Sequence, residues 1–186
     1  VYSLDMLSGL KKGGTFLLNC TWKPEELDQK LPANVKQYLA KNNINFYIIN
    51  AVDIARNLGL GNRYNMIMQS AFFKLANVIP VEAAVEELKN SIKKAYGKKG
   101  ENIVKMNYAS VDQGIEALVK IEVPAEWANA VDEAASEKEV PDFIKNVLRV
   151  MNRLEGDKLP VSTFKGAEDG MFPVGTSRYE KRGVAD

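Results

Sequence analysis

The chain has 186 residues, of which 46% are hydrophobic and 26% are charged, and its formal net charge is +1. These proportions are typical of a globular protein, and the near-neutral charge supplies no global basic field for nucleic acid or an anionic membrane. The sequence has no histidine and one cysteine, Cys20. It therefore cannot form a Ser-His-Asp arrangement, an internal disulfide or a four-cysteine cluster site. A free cysteine without bridges favours a cytoplasmic protein.

The first predicted elements form a strand–helix–strand unit. A short helical pattern from Leu4 to Leu10 is followed by an apolar strand, Thr15 to Asn19, with turn residues on both sides. Pro32 opens a helix that runs to about Ala40, and Phe46 to Ile49 is a second apolar strand. Strands that are apolar throughout are typical of a parallel sheet covered on both faces. The crossover between them should be right-handed.

Helices dominate the rest of the chain. They are predicted at residues 51–57, 66–76, 80–96, 102–120 and 141–156. The helix at residues 66–76 is apolar almost all round, which predicts burial on most of its sides. Residues 159–186 contain several prolines and glycines and show no helical periodicity, and this composition predicts an extended arm.

These elements predict an α/β fold. We expect a three-layer domain at residues 1–158, with a small, mainly parallel sheet flanked by helices, and an extended connector at residues 159–186. Two parallel strands alone do not make a stable sheet. The chain also begins with Val1 rather than methionine. We therefore expect further strands upstream and interpret the chain as a fragment that lacks its N-terminal strands.

The turn after the helix at residues 51–57 reads GLGNRY. It is not a dinucleotide fingerprint, because Tyr64 stands at the third glycine position and the turn follows a helix rather than a strand. One interpretation is an anion site, in which Arg63 offers a planar fork to phosphate. In that site Gly59 and Gly61 would permit close backbone approach, and Asn62 or Asn65 could donate to the ligand.

The alternative is structural. A glycine-stopped helix would be followed by an asparagine-capped one, and Arg63 would form a salt bridge. Such caps are common, which favours this alternative on the residues alone. A similar choice applies to Asn19 and Asn50, which each close an apolar strand. Ligands of parallel sheets lie beyond the carboxyl ends of the strands, so Asn19 is a candidate rim residue. Local turn bonds are the alternative, and they are the favoured one for Asn50.

Four stretches resemble one family closely. They are GGTFLLNCTW, INAVDIARNLGLGNRYNMIMQSAFFKLANVIP, GENIVKMNY and FPVGTSRYEKRGVA. In this order they resemble the gamma-type domain of pyruvate:ferredoxin (flavodoxin) oxidoreductases, followed by the short EKR connector. Members of this family oxidatively decarboxylate pyruvate with thiamine diphosphate and pass electrons through iron–sulfur clusters. They transfer the acetyl unit to coenzyme A.

The resemblance implies that thiamine diphosphate, Mg and the [4Fe-4S] clusters are held by other domains, and that this chain supplies neither a catalytic residue nor a metal ligand. It associates the gamma-type domain with the coenzyme A side of the reaction. The implied cofactor-binding candidates are Gly59, Gly61, Asn62, Arg63, Asn65 and Asn19. The implied partners are other domains of the same polypeptide, a second copy in a homodimer, and ferredoxin or flavodoxin. A purely structural domain that binds no ligand is the alternative.

Overall fold

The computed structural model describes residues 6–132, 139–171 and 173–179. The chain divides into two compact units, one formed by Gly9–Val131 and the other by Val1–Ser8 with Asp132–Asp186. The first unit contains, in chain order, β1 (Thr15–Asn19), α1 (Leu27–Lys30), α2 (Ala33–Lys41), β2 (Asn45–Ile49), α3 (Ala51–Asn57), α4 (Asn65–Ala76), α5 (Val81–Tyr96), α6 (Glu101–Glu116) and β3 (Val119–Ile121). The second contains a π-helical turn, Ile144–Leu148, that continues into α7 (Arg149–Asn152).

The sheet is small and mixed. Its order is β1-β2-β3. β1 and β2 are parallel over five residue pairs, from Thr15 opposite Asn45 to Asn19 opposite Ile49. β2 and β3 are antiparallel over three pairs, so the parallel pairing is the longer one. This confirms the predicted α/β class with a mainly parallel sheet.

One face of the sheet is covered by α1, α2 and the 3-10 turn Ala125–Asn129. Phe46 lies at the centre of this core, fully buried, and stacks on Phe16 of β1 with ring centroids 5.7 Å apart. Burying an aromatic ring of this size is among the larger single contributions to a core. Other buried side chains on this face are Leu18, Ile48, Leu27, Leu39 and Trp127.

The opposite face is covered by α3, α4 and α6. Ile49 of β2 packs there with Ala55 of α3 and Ile67 of α4. α4 and α6 cross closely because small residues meet where they touch. A Cβ atom on Gly114 of α6 would lie 3.0 Å from the Ile67 carbonyl carbon and would overlap the Ser70 hydroxyl. Helices on both faces of the sheet make the three-layer architecture that the sequence predicted.

Three predictions of secondary structure need correction. The helix expected at residues 102–120 ends at Glu116, and Val119–Ile121 instead pairs with β2 as a third strand. The chain therefore supplies its own third strand, and the prediction of two strands alone was wrong. The helix expected from Leu4 is not present at Met6–Leu10, which form bends and a turn, while residues 1–5 lie outside the described part.

The helix at residues 66–76 is less buried than expected. Met66, Ile67, Ser70 and Ala71 are buried, but Phe72 is 56% exposed. The predicted helix at residues 141–156 is helical over residues 142–152 and buries Ile144 and Val147.

In residues 159–171 and 173–179 the described backbone forms 3-10 turns at Val161–Phe164 and Thr176–Tyr179, with neither strand nor α-helix. The domain boundary expected after residue 158 stays a prediction. Within the described residues no helix has the length and apolar character needed to cross a membrane.

Candidate functional site

The asparagines at the ends of β1 and β2 both serve the first turn of α3. Asn50 is the N-cap residue, and its Oδ1 accepts a hydrogen bond from the Asp53 N–H at 3.1 Å. Its Nδ2 donates to Asp53 Oδ2 at 2.7 Å. Asn19 Oδ1 accepts from the Ala51 N–H at 3.0 Å. The rim asparagines therefore satisfy N–H groups that a helix N-terminus leaves unpaired. Asn50 has the local role expected of it.

The glycine turn begins as the C-terminal cap of α3. The Leu60 N–H donates to the Ala55 carbonyl at 2.8 Å, and the Gly59 N–H donates to the Arg56 carbonyl at 3.0 Å. Gly59 has φ +74°, the left-handed conformation that this Schellman pairing requires. Leu60 is almost fully buried and packs with Ala55. Gly59 is thus fixed by the helix end itself, as the structural alternative expected.

Arg63 is held by the same turn but pairs with no acidic side chain in the part of the chain that the structure describes. Gly61 has φ +61°, and the Arg63 N–H and Nε both donate to the Leu60 carbonyl, at 3.2 and 3.0 Å. The side chain is exposed, and it makes no ion pair with any described residue. The salt bridge expected in the structural alternative is therefore wrong. One edge of the guanidinium is anchored while its terminal nitrogens have no partner among residues 6–132, 139–171 and 173–179.

The two further asparagines of the turn do not cap α4. The N-cap residue is Tyr64, whose side chain makes no capping hydrogen bond. Asn62 and Asn65 are both exposed. The expectation that an asparagine would cap this helix is therefore wrong. Gly61, Asn62 and Arg63 form an exposed loop that leads through Tyr64 to Asn65, the first residue of α4, and the dipole of this helix N-terminus favours negative charge.

Asn19 lies apart from this loop. It contacts the first residue of α3, whereas Gly59 follows the last turn of the same helix. A seven-residue helix is about 10 Å long at about 1.5 Å per residue. The structure therefore joins Gly59, Gly61, Asn62, Arg63 and Asn65 in one segment and places Asn19 at the far end of α3.

The charged side chain that the loop itself presents is the cation Arg63. Within the described residues there is no group of three or more histidine, cysteine, aspartate or glutamate side chains that could hold a metal ion. Cys20 is buried, and that burial raises the pKa of its thiol. A cleft of about 530 Å³ lies elsewhere, between the end of α2 and the β3 region, and is lined by Asn43, Lys120 and Glu122 among others.

Fold and site together define an α/β domain that presents an anchored cation on an exposed turn. The family model described as "Pyruvate ferredoxin/flavodoxin oxidoreductase" matches residues 2–117, and a second, named EKR and described as a domain of unknown function, matches residues 130–185. The chain belongs to the pyruvate ferredoxin/flavodoxin oxidoreductase family.

Individual relatives are similar to this chain over all or nearly all of its length. "Pyruvate-flavodoxin oxidoreductase" of Enterobacter agglomerans is 63% identical over 185 residues, which are 100% of this chain and 16% of the relative. "Pyruvate:ferredoxin oxidoreductase" of Moorella thermoacetica is 57% identical over 97% of this chain and 15% of the relative. "Pyruvate dehydrogenase [NADP(+)], mitochondrial" of Euglena gracilis is 40% identical over 100% of this chain and 10% of the relative. The chain thus spans about a sixth or less of the length of these relatives.

Proposed function

We propose that this chain is part of an enzyme that oxidatively decarboxylates pyruvate and delivers the acetyl unit to coenzyme A. In the balanced reaction, pyruvate and the coenzyme A thiol give acetyl-CoA, carbon dioxide, a proton and two electrons. Ferredoxin or flavodoxin accepts the electrons. The observation that supports this proposal is the 63% identity to a pyruvate-flavodoxin oxidoreductase along the whole chain. The enzyme is proposed to be cytoplasmic and homodimeric.

Within that enzyme the chain has a binding and scaffolding role. Thiamine diphosphate, Mg and the [4Fe-4S] clusters belong to other domains in this proposal. The residues of this chain do not fit a [4Fe-4S] cluster, because such a cluster takes four thiolates and the sequence has one cysteine. No step of the reaction is therefore assigned to a side chain of this segment.

Coenzyme A is the ligand that we assign to the glycine turn, through its phosphate groups. The Nε–H of Arg63 is already bonded to the Leu60 carbonyl, which fixes the plane of the guanidinium at low entropic cost. The two terminal nitrogens remain for a phosphate, which a guanidinium can bind with two parallel hydrogen bonds. The N-terminus of α4 adds a favourable dipole. Asn62 and Asn65 are candidate donors beside it, and Gly61 gives the phosphate close access to the backbone.

The test is Arg63→Ala in the full-length enzyme. A hydrogen bond to a charged group contributes about 1.5–3 kcal/mol, and an exposed site favours the lower end. About 1.4 kcal/mol corresponds to a tenfold change in affinity. We therefore expect the half-saturating concentration of coenzyme A to rise about tenfold in steady-state assays of acetyl-CoA formation. Single-turnover release of carbon dioxide from pyruvate, without coenzyme A, should be unchanged.

Arg56→Ala is the matched control. Arg56 is an exposed arginine of α3 that pairs with Asp53 at 3.5 Å, at the same helix end but outside the turn. Its replacement should leave the coenzyme A response unaltered. An unaltered response in Arg63→Ala as well would favour the second candidate, a purely structural domain. That candidate is supported by the complete Schellman pairing of Gly59 and Leu60, which accounts for the first glycine without any ligand.

A further inference from the structure

An exposed apolar patch lies at the C-terminal end of α4. Phe72 is 56% exposed, Val78 67% and Ile79 40%. We call these three residues the α4–α5 patch. Phe73 lies beside it, with its ring edge-on to that of Phe72 and the centroids 5.5 Å apart. Both rings and Ile79 line a cleft of about 480 Å³ between α4 and α5. Single exposed apolar residues are ordinary, but a contiguous group beside a cleft is typical of an interaction surface.

The residues of this patch lie on either side of the C-terminal cap of α4. Asn77 ends α4 in the left-handed conformation, with φ +46°, and its N–H donates to the Phe73 carbonyl at 3.2 Å. Val78 and Ile79 follow this turn directly, and Ile79 lines the cleft before α5 starts. The apolar side chains are thus held together by a hydrogen-bonded turn between two helices.

We propose that another domain of the same polypeptide docks on the α4–α5 patch. The match covers 16% of the Enterobacter agglomerans relative, so most of such a polypeptide lies outside this chain. The patch exposes about 300 Å² of apolar side chain, if a fully exposed aromatic or aliphatic residue presents about 150–250 Å². A stable complex of separate proteins needs about 800 Å² on each partner.

The small size of the patch favours a tethered neighbour in the same polypeptide over a separate molecule. An area this small cannot by itself hold a freely diffusing second copy, because association first costs translational and rotational freedom. A tethered neighbour avoids most of that cost, since a short linker gives an effective concentration in the millimolar range. Interfaces between domains of one chain are correspondingly small. The inference rests on the scaffolding half of the proposed function and is independent of its coenzyme A half.

The test is carbene labelling of the full-length enzyme without pyruvate or coenzyme A, read by mass spectrometry. The labelling of each side chain is divided by its labelling in denaturant. An undocked Phe72 would retain about half of its denatured labelling, as its 56% exposure implies. We expect Phe72 and Val78 to retain less than a tenth, and this value should not change when the enzyme is diluted from micromolar to nanomolar concentration.

Matched valine variants separate docking from general unfolding. Val78→Gln should restore Phe72 labelling at least threefold, whereas Val131→Gln should not, although Val131 is also exposed, at 85%. Retention of about half of the Phe72 labelling in the unmodified enzyme would overturn the proposal. So would protection that disappears on dilution, since that result would assign the patch to a second copy. A negative Arg63→Ala titration would leave these labelling results untouched.

Discussion

Gly114→Ala tests the close crossing of α4 and α6. Gly114 lies inside α6, where alanine is normally the better helix former by about 0.5–1 kcal/mol. The structure predicts the opposite sign. An added Cβ would lie 3.0 Å from the Ile67 carbonyl carbon and closer still to the Ile67 oxygen and the Ser70 hydroxyl. The serine hydroxyl can rotate away, but the carbonyl belongs to the backbone of α4 and can move only with the helix.

The expected magnitude follows from two opposing effects. Forcing an extra methyl into a packed core typically costs about 1–3 kcal/mol, and contact with backbone favours the upper end. Subtracting the helix propensity of alanine leaves a net loss of about 2 kcal/mol in the free energy of unfolding. With a urea dependence of about 2 kcal/mol per molar, the unfolding midpoint should fall by about 1 M.

The assay is urea unfolding followed by circular dichroism, with Gly97→Ala as the matched control. Gly97 caps α5 with φ −55°, and a Cβ there meets nothing within 4 Å. Both glycines lie in the unit Gly9–Val131, so both changes act on the same unfolding transition. Gly97→Ala should raise stability by about 0.4–1 kcal/mol. If Gly114→Ala were as stable as the unmodified chain, the close crossing of α4 and α6 would be refuted.

Two further predictions concern the strand ends. Asn50→Ala removes the side-chain cap on the Asp53 N–H and should lower the free energy of unfolding by about 1 kcal/mol, measured by the same urea titration. Asn62 is exposed and caps nothing, so Asn62→Ala should lower it little. Burial raises the pKa of the Cys20 thiol, so the folded chain should be alkylated by iodoacetamide more slowly than the unfolded chain, and its rate should rise only at higher pH. By linkage, the free energy of unfolding should fall as pH rises past the thiol pKa of the unfolded chain, and equal alkylation profiles would contradict this.

The elements that the sequence predicted well are those with strong local signals. β1 and α3 have the predicted bounds. The signal for β1 is a short apolar run, and the signals for α3 are an asparagine cap at its start and a glycine after its end, so all of them lie within a few residues of the element. β3 was missed because Val119, Lys120 and Ile121 follow two residues after α6 and provide too short a run for a strand pattern. Its strand conformation comes from pairing with β2, some 70 residues earlier. No window of local sequence contains that partner.

The candidate site also has features that the sequence predicted and features that it did not. Gly59 as a helix stop was readable, because glycine after an amphipathic segment is the usual signal for a left-handed cap. The hydrogen-bond partner of Arg63 could not be predicted from the sequence. It is the backbone carbonyl of Leu60, and every residue type has such a carbonyl. The exposed half of α4 was also missed, because an apolar helix predicts burial without specifying whether the covering surface belongs to the same segment.

α4 physically connects the glycine turn to the α4–α5 patch. Arg63 precedes its first residue, and Phe72 lies on its last two turns. A 12-residue helix is about 18 Å long at about 1.5 Å per residue. α4 and α6 pack closely where Gly114 faces the Ile67 carbonyl and Ser70. A domain docked on the α4–α5 patch would therefore hold the glycine turn at a fixed distance and orientation. Positioning of this kind is what the scaffolding role proposed for this chain requires.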